Sequence, residues 1–183
     1  GVAVTIGLTV ITMLIAVPDG IILALMRLSR SKILSGFALG FVALFRNIPL
    51  ILVVYWAFYV MPILLGIELS AFATGITALA LNVSAYNAET FRAGINSIRS
   101  GQMQAAQALG MSRWQAMREI ILPQAIRRIL PILASTWVSL FKDTSLVSVI
   151  AVGDLAHNAL QIRSQSFRVL EMLTAMAAIY WLL

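Results

Sequence analysis

QAAQALGMSRWQAMREIILP, residues Gln104–Pro123, is an alanine-rich, basic stretch in the middle of a chain that otherwise avoids water. Of 183 residues, 61% are hydrophobic and only 11% are charged, where an ordinary soluble domain has about 25% charged. Mean hydropathy is +0.94. The composition is that of an integral membrane protein, so the stretch is a soluble-looking module held between hydrophobic segments. Ser100 is placed to cap a helix over residues 101–109, and Gly110 to end it in the left-handed conformation that glycine adopts freely. Ser112 opens a second helix, and Gln115 three residues on completes an S-x-x-Q capping box. Pro123 is expected to stop that helix, because the residue before a proline resists helical geometry. The segment 100–123 thus reads as two short helices joined by a tight corner.

Outward from this module, the apolar runs are read against the roughly 20 residues that a membrane-crossing helix needs. Val2 to Leu28 is the first, interrupted by Pro18, Asp19 and Gly20. A basic connector, Arg27 to Lys32, precedes an interfacial lead-in over Ile33 to Phe45. FRNIP, Phe45 to Pro49, breaks the chain before a second span over Ile48 to Leu64. Gly66 to Ser70 is a turn, and the third span covers Ala71 to about Arg92. A fourth runs from about Ile126 to Val152, with Pro131 near its start. Gly153 to Arg168 connects it to a fifth span that begins at Val169. The expected fold is an all-α polytopic membrane bundle of about five helices, one domain over 1–183, without repeats of solenoid period. The chain opens without methionine and ends inside an apolar run, so flanking segments are expected beyond both ends.

Charge orients the bundle. Of 13 Lys and Arg, Arg27, Arg30 and Lys32 lie after the first span, and Arg92, Arg99, Arg113, Arg118, Arg127 and Arg128 in or beside the central region. The turn at Gly66 to Ser70 has none. The positive-inside rule then makes the central module cytoplasmic and the N-terminus external. With no cysteine and a single histidine, His157, disulfides and Cys or His metal clusters are excluded. The two lysines, Lys32 and Lys142, follow Ser31 and Phe141, so no G-x-x-x-x-G-K-[ST] loop exists and a nucleotide would have to be held by another chain.

Three readings of the module compete on the residues alone. It is a helical connecting loop, a DNA-binding helix-turn-helix, or a docking element for a cytoplasmic partner. The second is disfavoured by Ala116 where a recognition helix buries a larger residue, and by confinement between membrane spans. For the third, Ala105, Ala106 and Ala108 keep one helix slim enough to enter a cleft, while Met103, Leu109, Met111 and Trp114 are anchors of the kind enriched in interface centres.

The stretch resembles the coupling motif of ABC-importer permeases, EAA-x3-G-x9-I-x-L-P. Gln104, Ala105 and Ala106 stand for EAA, Gly110 is the glycine, and Ile120, Leu122 and Pro123 close the motif after nine residues. Gln104 replaces the glutamate, so a salt bridge from that position is not carried over. FRNIPL, AYNAETFRAGINSI, GQMQAAQALGM, ILPQAIRRILP and KDTSLVSVI extend the resemblance to the polar amino-acid branch over nearly the whole chain. FRNIPLILVVYWAFYVMP is most similar to glutamate/aspartate permeases. The resemblance implies a type I ABC importer permease of the bacterial inner membrane. It also implies a second permease subunit, two cytoplasmic ABC ATPase subunits carrying ATP and Mg, and an external amino-acid-binding protein, with no nucleic-acid partner. A structural partner subunit in a heterodimer and an ATP-independent secondary transporter are the alternatives.

Polar groups inside a span cost about 2.5–3.5 kcal/mol for a charged residue at a helix centre, so each needs a reason. Lys142, Asp143, Thr144 and Ser145 are expected to face the bundle interior, as a packing pair or as cargo contacts. Arg46 stands beside the FRNIP break, where it snorkels or meets cargo. Asn82, Ser84, Tyr86, Asn87 and Glu89 share one helical face; interhelical packing is their default role, with Asn82 and Tyr86 as pathway candidates. Asp19 is expected to pair with Lys142 or Arg46, or to line a water-filled surface.

Overall fold

The computed structural model describes residues 1–98 and 100–182, and among these every regular element is helical. The Ser100 cap lies outside the described side chains, and Arg99 outside the described residues. α1 (Val2–Leu28) is one continuous helix through Pro18, so the expected interruption there does not occur. A proline removes one hydrogen bond from a helix, and in a membrane bundle neighbouring helices hold such a segment in place.

α2 (Lys32–Asn47) begins at Ser31, whose Oγ accepts from the Leu34 N–H at 3.5 Å. It ends because Pro49 forces Ile48 into an extended conformation (φ −86°, ψ 132°). The chain then bends by 107° into a rod made of α3 (Leu50–Tyr55), a wider π-turn over Trp56–Val60, and α4 (Met61–Leu65). A helix, a break and a second rod thus lie where the residues place the lead-in, the break and the second span. Gly66, at φ +64°, closes the rod.

α5 (Ala71–Asn96) is the central helix, about 39 Å long at 1.5 Å per residue. α6 (Ser100–Ala108) and α7 (Arg113–Ala116) form the central module. Beyond them one expectation fails. Pro123 does not stop the second helix: α7 passes through a π-turn over Met117–Ile121 directly into α8 (Leu122–Asp143). The Leu122 N–H donates to Met117 O, five residues back, and proline at the first positions after that turn has no N–H to leave unpaired. The second helix of the module is therefore continuous with α8. After α8 the helix tightens to 3₁₀ over Thr144–Ile150, where Thr144, Ser145 and Ser148 each donate a hydroxyl to the carbonyl three residues back at 2.7 Å. α9 (Leu155–Ser166), capped by the Asp154 carboxylate, and α10 (Val169–Leu182) complete the chain.

α1 and α5 run parallel and in close contact. Gly20 makes the approach possible: a Cβ there would lie 2.6 Å from Asn87 Cβ and 3.2 Å from the Ala88 nitrogen. Asn87 Nδ2 donates to Ala16 O at 3.2 Å across the same crossing. α8 returns antiparallel, with Ile129 against Gly94 near one end and Val147 of the 3₁₀ segment against Gly75 near the other. Leu8, Met13, Val54, Leu79, Leu140 and Val147 form the shared core.

The two ends of the bundle differ in charge. At one, the Gly1 backbone nitrogen donates to Gly153 O at 2.9 Å and Leu155 N–H to Thr5 Oγ1 at 3.1 Å. At the other, Arg27 and Arg92 converge on Glu89, and Arg128 Nη1 donates to Ser97 O at 2.7 Å. By hydropathy, α1 alone is long and apolar enough to cross a membrane among the described residues, with the bent 32–65 pair as a possible second. α5 fails that measure because it carries Thr74, Asn82, Ser84 and Asn87, all of which are buried inside the bundle. Inward-facing polar groups are what distinguish a path-lining helix from a lipid-facing one.

Candidate functional site

The break after α2 creates a polar site. Phe45 O would normally accept from the N–H of residue 49, but residue 49 is proline. Asn82 Nδ2 supplies the missing donor at 2.8 Å, which fastens the bend to α5. Arg46, in the last turn of α2, lays its guanidinium 5.3 Å from the centroid of the Tyr86 ring, a cation–π contact. Tyr86 is 44% exposed.

Between this bend, α5 and α8 lies a cavity of about 540 Å³. Arg46, Asn82, Tyr86 and Asp143 all line it, so four residues separated by up to 97 positions in sequence share one wall. Such a volume suits a small polar molecule. Among the described residues neither Arg46 nor Asp143 forms an ion pair within 4.0 Å; the cavity therefore presents one cationic and one anionic group at once.

The remainder of the expected 142–145 cluster is not brought there. Lys142 is exposed on the subunit surface rather than facing the interior. Thr144 is buried with its hydroxyl on Phe141 O, and half-buried Ser145 bonds Lys142 O. The tightening to 3₁₀ turns these side chains onto their own backbone. Asp19 is exposed and pairs with neither Lys142 nor Arg46.

Ser135, Thr136, Ser139 and Asn47 also line the cavity and were not singled out from sequence. Isolated hydroxyls in an apolar helix look like packing residues. Their spacing carried a signal nonetheless, because 132, 135, 136, 139 and 143 follow one face of α8 at intervals of three and four that ends on Asp143. Ser135 and Thr136 donate to Pro131 O and Ile132 O, at 3.2 and 3.1 Å, which leaves hydroxyl lone pairs toward the cavity.

The central module is built as its residues require. Gly110 sits at φ +82°. Met111 N–H donates to Ala106 O and Gly110 N–H to Gln107 O, both at 3.0 Å, the paired bonds of a Schellman end. Ser112 and Gln115 form the reciprocal capping box at 3.2 and 2.9 Å. Leu109 and Trp114 are 83% and 69% exposed, and Gln104, Ala105 and Gly110 are exposed beside them. Ala106 is buried, so the slim alanine face is turned partly against the subunit itself. Met103 is likewise an internal contact, packed on the Ile98, Ile121 and Ile129 cluster. Met111, Ile120 and Leu122 are half-buried and Pro123 is exposed. Of the expected anchors, Leu109 and Trp114 remain fully presented.

The family model described as binding-protein-dependent transport system inner membrane component matches residues 16–183. The arginine transport system permease protein ArtQ of Bacillus subtilis is 34% identical over 183 residues, spanning 100% of this chain and 84% of its own. The glutamate/aspartate import permease protein GltK of Escherichia coli is 36% identical over 190 residues, covering 100% and 85%. A probable glutamine ABC transporter permease protein, GlnP of Bacillus subtilis, is 39% identical over 91% of this chain and 76% of its own. Among solved structures, an amino acid ABC transporter with histidines superposes at TM-score 0.93 with 38% identity, over 100% of this chain and 85% of that one. The MetNI methionine ABC transporter, in an inward-facing form, shares the fold at TM-score 0.68 and 20% identity, over 98% and 86%.

Proposed function

Since this chain belongs to the binding-protein-dependent transport system inner membrane component family and is a permease subunit of an amino-acid ABC importer, we propose that the cavity beside Arg46 is its cargo site. A free amino acid carries a carboxylate and an ammonium group; Arg46 takes the first and Asp143 the second, while Asn82, Tyr86 and the α8 hydroxyls surround the side chain. The observation that carries this reading is the unpaired Arg46 and Asp143 on one cavity of about 540 Å³. The cargo is a polar amino acid, with glutamate or aspartate as the first candidate. That preference rests on the FRNIPLILVVYWAFYVMP stretch and on GltK at 36% identity.

The chain is a multi-pass protein of the inner membrane. The basic end of the bundle faces the cytoplasm and Gly1 lies toward the outside. Two ATPase subunits, which hold ATP and Mg, dock on segment 100–123, and a second permease subunit completes the path. An external binding protein delivers the amino acid. Because α7 and α8 are one continuous rod, displacement of the docked corner moves Ser135, Ser139 and Asp143 directly.

Removing one partner of a hydrogen-bonded charge pair costs about 2 kcal/mol or more, or roughly 30-fold in binding. In vesicles carrying the assembled transporter, Arg46→Gln and Asp143→Asn should each raise the KM for uptake by about that factor. Competition by unlabelled glutamate, aspartate, glutamine and arginine identifies the cargo. An unchanged KM in both variants would remove the site, and competition by arginine alone would remove the acidic cargo. The Leu109→Ala, Trp114→Ala double variant should fold normally but lose copurifying ATPase; retention of the ATPase at the parental ratio would exclude these anchors.

A further inference from the structure

A second cavity, of about 350 Å³, lies on the basic-end side of Arg46 and shares Arg46, Asn47 and Tyr86 with the first. It adds Arg27 and Glu89, two charged groups that the cargo site does not use. Tyr86 and Glu89 are three residues apart on α5, so the ring beneath the Arg46 guanidinium is about 4.5 Å along the helix from Glu89. Arg46 therefore stands at the partition between two chambers, with a carboxylate in the lower one.

Glu89 is engaged but not saturated. Arg92 binds both oxygens, at 3.1 and 3.2 Å through Nε, while Arg27 Nη1 stays 3.7 Å from Oε2, outside hydrogen-bond range. A carboxylate offers about four acceptor positions, and Oε2 has room for another donor. Arg46 is at the end of α2, beside the extended Ile48–Pro49 bend, and its side chain already lines both chambers, so a rotation of that long side chain carries the guanidinium from one toward the other.

We infer that Glu89 acts as the release group of the transport path, by competing with the cargo carboxylate for Arg46. This rests on the cargo site proposed above. With the amino acid bound, its carboxylate holds Arg46 in the upper chamber. When the bundle opens toward the basic end, Glu89 receives the guanidinium, the cargo carboxylate loses its counter-charge, and the amino acid leaves through the lower chamber. The exchange of one carboxylate for another gives Arg46, which is exposed and without an ion-pair partner among the described residues, a new anion as the cargo leaves. Tyr86 supports the guanidinium in passage through its ring face.

The inference predicts a split that structural damage does not produce. In the full-length chain assembled with its second permease subunit and ATPase, Glu89→Gln should lower maximal uptake of tritiated glutamate by about tenfold, while its equilibrium binding becomes equal or tighter. Glutamine and arginine are run in parallel as probes. Glu89→Asp should recover part of the lost rate. Asp143→Asn should do the reverse of Glu89→Gln and weaken binding. Weaker binding in Glu89→Gln, or a parental maximal rate, would overturn the release role. Arg27→Gln separates the alternative in which Glu89 matters only as a tie to α1: if it reproduces the Glu89→Gln rate defect, the release role is also overturned. Parental binding in both Arg46→Gln and Asp143→Asn would instead remove the cargo site itself.

Discussion

Gly110→Val is expected to abolish uptake, by about tenfold or more, while the subunit still folds and inserts. Gly110 lies at φ +82° and a Cβ added there meets nothing within 4 Å. The substitution thus creates no clash inside the chain, and its effect comes from the backbone. A left-handed conformation costs an L-residue about 1–2 kcal/mol, and a β-branched residue is a genuine outlier there. The corner relieves that strain by giving up the Met111-to-Ala106 and Gly110-to-Gln107 bonds, which changes the angle between α6 and α7. Leu109 and Trp114 flank that corner, so the surface proposed above to receive the ATPase is lost while the core at Ile121 and Ile129 is untouched. ATP hydrolysis without uptake is the expected signature in reconstituted vesicles. Gly110→Asn, which tolerates the left-handed region, should stay near the parental rate. Parental uptake in Gly110→Val would show that the corner transmits nothing.

Gly20→Leu is expected to prevent assembly of the bundle. The position is at the closest approach of α1 and α5, and the atoms a side chain would meet include Asn87 Cβ at 2.6 Å and the Ala88 backbone nitrogen at 3.2 Å. A backbone atom cannot rotate away, so the helices must separate. That would break the Asn87-to-Ala16 bond and shift the α5 wall of the cavity beside Arg46. Overpacking a tight core costs about 1–3 kcal/mol where side chains yield, the range for Ala here, and more where backbone must move, as a Leu requires; total stability is only about 5–15 kcal/mol. Gly20→Ala should therefore lower the Tm in detergent by about 5 °C, and Gly20→Leu should leave little monodisperse protein. Gly7→Leu is the control, since nothing lies within 4 Å of a Cβ at that position. Equal behaviour of Gly7→Leu and Gly20→Leu would show that the crossing tolerates separation.

The contrast between Gly94 and Gly20 shows what such contacts depend on. Gly94 also faces a near neighbour, but that neighbour is the Ile129 side chain, which can change rotamer where the backbone at Ala88 cannot.

Much of the molecule was legible in the chain. The extended residue before Pro49, the left-handed position at Gly110 and the capping box at Ser112 are local consequences of side-chain shape. Each appears where the residues place it. The motif spacing identified the family for the same reason, because a corner of two helices requires its glycine and caps at set intervals. Pro123 was misread because a proline ends a helix only when its missing N–H and ring have no room. The π-turn at Met117–Ile121 provides that room, and whether a helix widens there depends on what it packs against.

The cavity beside Arg46 depends instead on tertiary packing. Lys142 and Asp143 are adjacent in sequence and both ionisable, yet only Asp143 lines the cavity. The direction of a side chain around a helix changes by roughly 100° per residue, and the 3₁₀ segment that follows shifts it again. Sequence alone determined that this chain is strongly apolar and helical and carries a capped, glycine-cornered module at its centre, since those features follow from hydrophobicity and local backbone sterics. Only the tertiary structure decided that Arg46, Asn82, Tyr86 and Asp143 meet, because that depends on the 107° bend after α2 and on how closely Gly20 lets α1 approach α5.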